Sequence, residues 1–172
     1  EEYLGKQQSF LEYRRQLKRL KGAESRTLDG KKVVLCCNVN QPSEVRLVLE
    51  NDGEGIGLYR SEMLCLEREE FPSEEVQFQA YREILEGMSS RRVVIRTMDL
   101  GADKKLPYLP LPAEQNPAMG CRGIRLSLQY PDYFKQQLRA LLRASVYGKL
   151  AIIFPMISTL EEVREAKRLL WE

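Results

Sequence analysis

Four short apolar runs, each followed by a stretch with helical spacing, constrain the fold of this chain more than any other feature. The runs are continuous rather than alternating in hydrophobicity, which is typical of parallel strands with both faces covered. Repeated units of this kind predict a parallel sheet with helices packed outside it. The predicted strands are residues 33–37, 56–60, 93–97 and 150–157.

The predicted helices are marked by the residues at their ends. Serine, threonine or proline opens each helix, and a glycine follows the first three. The helices begin at about residues 42, 73, 131 and 159. Residues 99–130 are predicted to form a long loop, and long loops in compact domains are usually functional or mobile.

An α/β chain of four such units is compatible with two architectures. It could form an open doubly wound sheet or part of a (β/α)8 barrel, and a complete barrel has about 250 residues, so four units would be half of one. Residues 6–20 show the spacing of a helix with one apolar seam, followed by a turn. We expect residues 1–26 to form a helical linker or docking segment and residues 27–172 to form the α/β domain.

Two arginines lie at the carboxyl ends of successive predicted strands, where parallel α/β proteins place their active sites. Arg60 ends the second strand and Arg96 lies at the end of the third. A buried guanidinium needs an anionic partner, and its planar fork suits phosphate or carboxylate oxygens. We therefore predict that both arginines converge on one anion. The alternative is that each forms a structural ion pair with a nearby acid, Glu62 or Asp99.

The segment after the third strand contains two further motifs that could contribute to a site. Residues 99–105 combine two carboxylates with lysine around a glycine, which would suit a phosphate site, a metal site or a solvated turn. Residues 116–125 contain turn-forming residues that would let the backbone approach a ligand, with Arg122 on the loop. Cys121 is a weak candidate nucleophile because no base is available to activate it.

The sequence contains no histidine, and this excludes several kinds of chemistry. It removes a Ser-His-Asp triad, a Cys-His pair, a Cys/His zinc site and any phosphohistidine from this chain. The four cysteines show no C-x-x-C spacing, so we expect reduced, buried thiols. They are Cys36, Cys37, Cys65 and Cys121.

Charge and hydropathy argue against two classes of partner. With 27 basic and 25 acidic residues the net charge is +2, which predicts no nucleic-acid footprint. No apolar stretch approaches the roughly 20 residues of a membrane-spanning helix, and the first residues lack a signal-peptide pattern. We expect a cytoplasmic protein with no membrane association.

Four motifs, in order along the chain, closely resemble those of the phosphoenolpyruvate-utilising enzymes. The resemblance is collinear from about Thr27 to the last residue. Within the family it is strongest to the enzymes of the bacterial sugar phosphotransferase system. The motifs are residues 55–62, 96–104, 116–125 and 154–157.

The resemblance implies that residues 27–172 form the first half of a phosphoenolpyruvate-binding (β/α)8 TIM-type barrel. Arg60 and Arg96 match the family's two phosphoenolpyruvate-binding arginines, and Arg122 matches a further arginine of the active-site loop. The family's Mg2+ ligands and catalytic cysteine belong to later motifs that this sequence does not contain. We therefore assign no catalytic and no metal-binding residue here.

The family also implies partners for the complete enzyme. Its members pass the phosphoryl group of phosphoenolpyruvate to a histidine on a separate domain of the same chain, which then phosphorylates a small phosphocarrier protein, and we expect a homodimer. We expect the segment alone to be inactive. Two alternatives stay open: a segment of pyruvate phosphate dikinase or phosphoenolpyruvate synthase, and a non-catalytic interaction module with a vestigial anion pocket.

Overall fold

Four parallel strands form one sheet, and their order in space is their order in the sequence. The structure is a computed structural model that describes residues 2–66, 68–101, 104, 106–109, 111 and 113–172. Doubly wound sheets reverse their strand order at a switch point, whereas barrels add each strand beside the last. The architecture therefore corresponds to part of a (β/α)8 barrel that is not closed. The strands are β1 (Cys36–Val39), β2 (Gly55–Arg60), β3 (Arg92–Arg96) and β4 (Lys149–Ile153).

Each strand is followed by helical structure, as the sequence predicts. The helices are α1 (Glu2–Lys18), α2 (Val45–Glu50), α3 (Met63–Leu66), α4 (Glu74–Met88), α5 (Ile124–Gln129), α6 (Pro131–Ala144) and α7 (Leu160–Trp171). Short 3-10 turns precede α2 at Pro42–Glu44 and follow α6 at Ser145–Tyr147.

Predicted capping residues begin two of the long helices, α4 and α7. The hydroxyl of Ser73 accepts a hydrogen bond from the backbone N–H of Val76 at 3.3 Å, which satisfies one free donor at the start of α4. Thr159 and Glu162 form the predicted capping box at the start of α7, each accepting from the other's backbone N–H. These local signals fix where two of the outer helices begin.

The core lies between one face of the sheet and the helices. Because successive strand residues point to opposite faces, Val93 and Ile95 share this side of β3, and both are fully buried. They belong to one apolar cluster with Ile84 of α4 and Leu141 of α6. We call this side of the sheet the helix-covered face.

The opposite side of the sheet, which we call the open face, is only partly covered by the described residues. Val94 lies on this side of β3 and is partly exposed, and Ile153 of β4 is 39% exposed. The prediction that both faces of the first strand are covered is therefore wrong. Val33 and Val34 precede β1 and are exposed, and Cys36 within the strand is exposed as well. The physical reason is that, in the described part of the chain, β1 pairs only with β2 and helices cover only one of its faces.

The prediction of a long loop over residues 99–130 also differs from the structure. Residues 99–130 are not one continuous loop, because α5 forms within them over Ile124–Gln129. Its residues Ile124 and Leu126 are fully buried, so tertiary packing stabilises this helix. The helix is too short for its periodicity to be recognised in the sequence.

Helix α1 is present as predicted, but it contributes no buried residue. None of the helices within the described ranges is long and apolar enough to cross a bilayer.

Within the described residues, β1 and β4 are each paired on one side only, and unpaired strand edges invite pairing with a second chain. We predict that the isolated 172-residue chain self-associates or is poorly soluble. Ile153→Lys, which places a charge on the open face, should reduce the association, as measured by light scattering. Leu142→Lys is the matched control because Leu142 is 46% exposed on α6, away from the sheet edges. A monodisperse monomer of the unmodified chain would contradict this prediction.

Candidate functional site

A row of polar side chains crosses the carboxyl ends of the first three strands. Arg60 and Arg96 are direct partners in the β2–β3 register, and the pairing of Val39 with Tyr59 sets Asn40 beside Arg60. Paired residues on neighbouring strands project from the same side of a sheet and lie about 5 Å apart. The structure thus brings the two predicted arginines together on the open face.

Arg60 has an amide rather than a carboxylate as its partner. Its Nη1 donates to the Oδ1 of Asn40 at 3.0 Å. In the part of the chain that the structure describes, Arg60 forms no ion pair, so the alternative pairing with a nearby acid does not occur at this residue. An amide orients the guanidinium without neutralising its charge. Arg60 therefore keeps its full attraction for an anion.

Arg96 is placed between two carboxylates. Its Nη2 contacts Glu62 and its Nη1 lies 2.9 Å from Asp99, while the three side chains are 21%, 10% and 12% exposed. The two acids therefore form ion pairs with Arg96, and within the described residues neither of them forms one with Arg60. The buried Nε of Arg96 and the buried Oε2 of Glu62 have no hydrogen-bond partner within the described residues. The two carboxylates hold the Arg96 side chain in place, while these two polar atoms remain available for a further hydrogen bond.

Asp99 also connects Arg96 to the third predicted arginine. The Nε of Arg122 lies 3.2 Å from Asp99 Oδ1, and its Nη2 donates to the Asp99 carbonyl at 3.4 Å. Arg122 is 17% exposed, so this contact lies at the partly buried rim of the site. Arg60, Arg96 and Arg122 thus form one continuous cluster, joined by strand register on one side and by Asp99 on the other.

Backbone contacts at Gly123 fix the loop that carries Arg122. The N–H of Gly123 donates to Leu100 at 3.2 Å, and the next N–H donates to Pro155 at 2.9 Å. Gly123 has φ +59°, and an added Cβ would lie 2.9 Å from the carbonyl oxygen of Pro155. Only glycine fits this left-handed position without displacing a neighbour. The loops after β3 and β4 therefore meet at the residue that follows Arg122.

Sequence reasoning missed a group of buried polar residues behind the arginines. Ser61, Tyr81 and Gln137 form hydrogen bonds between the sheet and the helix layer. Gln137 lies on the apolar side of α6, between the buried residues Phe134 and Leu141. A glutamine inside an apolar stripe was the signal in the sequence, since buried amides need partners.

Within the described residues, Glu62 and Asp99 do not by themselves provide a magnesium centre. Mg2+ requires octahedral oxygen coordination, usually with one or two carboxylates. Glu62 and Asp99 both face the arginines, but Arg96 already engages both of them. The described ranges contain no group of three or more acidic, thiol or imidazole side chains that could hold a metal ion. The residues described here therefore do not fit Mg2+ without ligands from elsewhere.

The 99–105 motif falls partly outside the described residues, which do not include Ala102, Asp103 or Lys105. The structure therefore describes only part of this candidate phosphate or metal segment. Its first residue, Asp99, contributes to the arginine cluster.

Cys121 lacks the environment of a nucleophile. Burial and then the Glu114 carboxylate raise the pKa of its thiol, and its Sγ donates to Gln129 at 2.9 Å. The four cysteines are free thiols, as expected, but only Cys65 is fully buried. The expectation that all four are buried is wrong, because Cys36 lies on the uncovered edge strand.

Comparison with known proteins defines the class to which this chain belongs. The model of the family described as "PEP-utilising enzyme, PEP-binding domain", where PEP is phosphoenolpyruvate, matches residues 14–172. The chain belongs to this family of phosphoenolpyruvate-utilising enzymes. The strand order and the uncovered sheet face agree with a part of its barrel.

Relatives with similar sequences carry a more specific name. The chain is 53% identical over 171 residues to the phosphoenolpyruvate-protein phosphotransferase of Staphylococcus carnosus (strain TM300), covering 99% of this chain and 30% of that protein. It is 53% identical over 169 residues to the enzyme of the same name from Latilactobacillus sakei, covering 98% and 29%. The chain thus spans about 30% of the length of these relatives.

The reactivity of the cysteines towards an alkylating reagent tests the burial of Cys65. Burial, and then Glu62, raise the pKa of Cys65 to about 12, so roughly one molecule in 10⁴ carries the reactive thiolate at pH 8. We predict that Cys65 is the slowest of the four thiols to be alkylated by iodoacetamide, as followed by peptide mass spectrometry. In urea its rate should rise to that of the others. Alkylation of Cys65 in the folded chain as fast as that of Cys121 would contradict the burial.

Proposed function

We propose that this chain is a segment of a longer phosphotransferase that transfers the phosphoryl group of phosphoenolpyruvate to a protein histidine in the sugar phosphotransferase system. The observation that carries the proposal is the pairing of Arg60 with Arg96 at the strand ends. Two neighbouring guanidinium groups provide a strong electrostatic site for a phosphate dianion. The relatives are named phosphoenolpyruvate-protein phosphotransferases, which supports phosphoenolpyruvate as the donor and a protein as the acceptor.

In this proposal the three arginines bind substrate and have no bond-making role. Arg60, which is held by an amide, provides an uncompensated charge to the phosphate. Arg96 is oriented by Glu62 and Asp99 and offers the N–H groups that these carboxylates leave free. Arg122 approaches from the loop after β3 through its contact with Asp99. Positioned cations of this kind stabilise the charge on a transferring phosphoryl group, which is the main need of phosphoryl transfer.

The remaining parts of the reaction belong to other segments in this proposal. The sequence contains no histidine, so the phosphoryl acceptor is a histidine on another domain of the complete chain. That domain would pass the group to a small phosphocarrier protein. Mg2+, the expected cofactor, would take its ligands from later parts of the barrel, and the complete enzyme would be a cytoplasmic homodimer.

One observation favours a second candidate, a non-catalytic module with a vestigial anion pocket. Arg96 is neutralised by two carboxylates, as expected for a purely structural ion pair. The names of the relatives favour the phosphotransferase over this module, and equally over a pyruvate phosphate dikinase or phosphoenolpyruvate synthase. Substitution of the arginines separates the catalytic and structural alternatives.

Arg96→Ala in the full-length protein should lower phosphoenolpyruvate turnover by about 10²- to 10³-fold, because a positioned charge on the phosphoryl group is lost. Pyruvate release in a coupled assay measures this. Arg92→Ala is the matched control, since Arg92 lies on the same strand and the same face but at the opposite end, and is exposed. Near-normal turnover of Arg96→Ala would remove this arginine from the site.

The isolated 172-residue chain should release no pyruvate from phosphoenolpyruvate. The expectation follows because the phosphoryl acceptor and the proposed metal ligands lie elsewhere in the complete protein. Incubation of the purified chain with phosphoenolpyruvate and Mg2+, followed by the same coupled assay, measures it. Release of pyruvate at a rate that depends on chain concentration would contradict the assignment of these roles to other segments.

A further inference from the structure

A chain of buried hydrogen bonds runs behind the arginine cluster, between the sheet and the helix layer. Its members come from the loop after β2, from α4 and from α6, and each is at most 3% exposed. They are Ser61, Gln77, Tyr81 and Gln137. Buried polar groups at this depth are costly unless every donor and acceptor is satisfied, so such a network holds its members in one arrangement.

Gln137 is the centre of this network. Its Nε2 donates to the hydroxyl oxygens of Ser61 and of Tyr81, each at 3.0 Å. Its Oε1 accepts from the backbone N–H of Met98 at 2.9 Å. The amide therefore uses both donor hydrogens and its acceptor. One helix side chain thus holds the segments that follow two different strands.

Those two segments carry the arginines. Ser61 directly follows Arg60, and its hydroxyl donates to the backbone carbonyl of Arg96 at 2.6 Å. Met98 lies two residues beyond Arg96. The hydrogen bonds from Gln137 to Ser61 and from Ser61 to Arg96 therefore join the carboxyl ends of β2 and β3. These strand ends are where the side chains of Arg60 and Arg96 begin.

We propose that Gln137 is a positioning residue that sets the spacing of Arg60 and Arg96 for one shared phosphate. The inference rests on the function proposed above and adds a residue that lies on the helix-covered side and cannot touch the ligand. Without the amide, the Met98 N–H loses its acceptor and the hydroxyl oxygens of Ser61 and Tyr81 each lose a donor, so the two strand ends can separate. The binding of a shared anion is sensitive to such separation, because a small displacement of the binding groups causes a large loss of affinity and of reaction rate.

Gln77 provides a matched control for the structural contribution of a buried amide. It is also a glutamine, is 1% exposed, and belongs to the same network. Its Nε2 donates to the carbonyl of Pro72 at 2.8 Å and its Oε1 accepts from Tyr81 at 3.1 Å. Within the described residues, the side chain of Gln77 forms no hydrogen bond with Ser61 or Met98. Methionine is close in length to glutamine, so Gln137→Met and Gln77→Met remove equivalent amides with little change in volume.

The experiment compares both variants with the unmodified full-length protein by calorimetric titration with phosphoenolpyruvate, by steady-state kinetics and by thermal unfolding. Both variants should unfold at a lower temperature. Only Gln137→Met should raise the Kd and the KM for phosphoenolpyruvate, by about tenfold or more. If both variants lose stability while phosphoenolpyruvate binds each as tightly as the unmodified protein, Gln137 is structural only and the inference is overturned.

A milder substitution keeps the test available if Gln137→Met does not fold. Ser61→Ala removes the hydroxyl that links Gln137 to Arg96 and adds no volume, and it should also weaken phosphoenolpyruvate binding by several-fold. Unchanged binding by Ser61→Ala would overturn the inference. Failure of the unmodified protein to bind phosphoenolpyruvate would instead overturn the proposed function itself, so the two failures give different results.

Discussion

The pairing of Arg60 with Arg96 across neighbouring parallel strands is the constraint around which the rest of the site is arranged. Two arginines on neighbouring strands about 5 Å apart carry like charges that repel each other, and partial burial strengthens the repulsion. The structure offsets this for Arg96 with Glu62 and Asp99, and leaves Arg60 with the neutral amide of Asn40. This unequal treatment is what a shared anion would need: one arginine fixed in place and one with uncompensated charge.

The two faces of the sheet have different roles. The helix-covered face contains the apolar core, in which Val93 and Ile95 are fully buried. The open face carries the arginines at its carboxyl edge and is only partly covered. Gln137 and Ser61 connect the two sides, because the amide reaches the strand ends from the helix layer. The stability of the core and the geometry of the site are therefore linked through a few buried hydrogen bonds.

Much of this arrangement could be predicted from local sequence signals. Apolar runs identified the four strands, the caps at Ser73 and Thr159 identified helix starts, and the positions of the arginines after apolar runs identified the candidate site. The rest depended on tertiary packing. The boundaries of β1 follow from its edge position, and α5 is too short to have a clear period. The hydrogen-bond partners of Gln137 are separated from it by 39 to 76 positions in the sequence. The sequence also could not decide which acid each arginine would contact, since Glu62 pairs with Arg96 instead of the nearer Arg60.

The central claim is that Arg60 and Arg96 bind one anion together, and a double-mutant cycle tests it most directly. The free energy of phosphoenolpyruvate binding is measured by calorimetry for the full-length protein with Arg60→Ala, with Arg96→Ala and with both substitutions. A shared phosphate predicts an interaction energy of about 1 kcal/mol or more between the two sites, while the pair Arg60→Ala and Arg92→Ala should be additive. If the loss of binding free energy in the Arg60→Ala, Arg96→Ala double variant equals the sum of the two single losses to within about 0.3–0.5 kcal/mol, the arginines act independently. The account of a shared anion is then wrong.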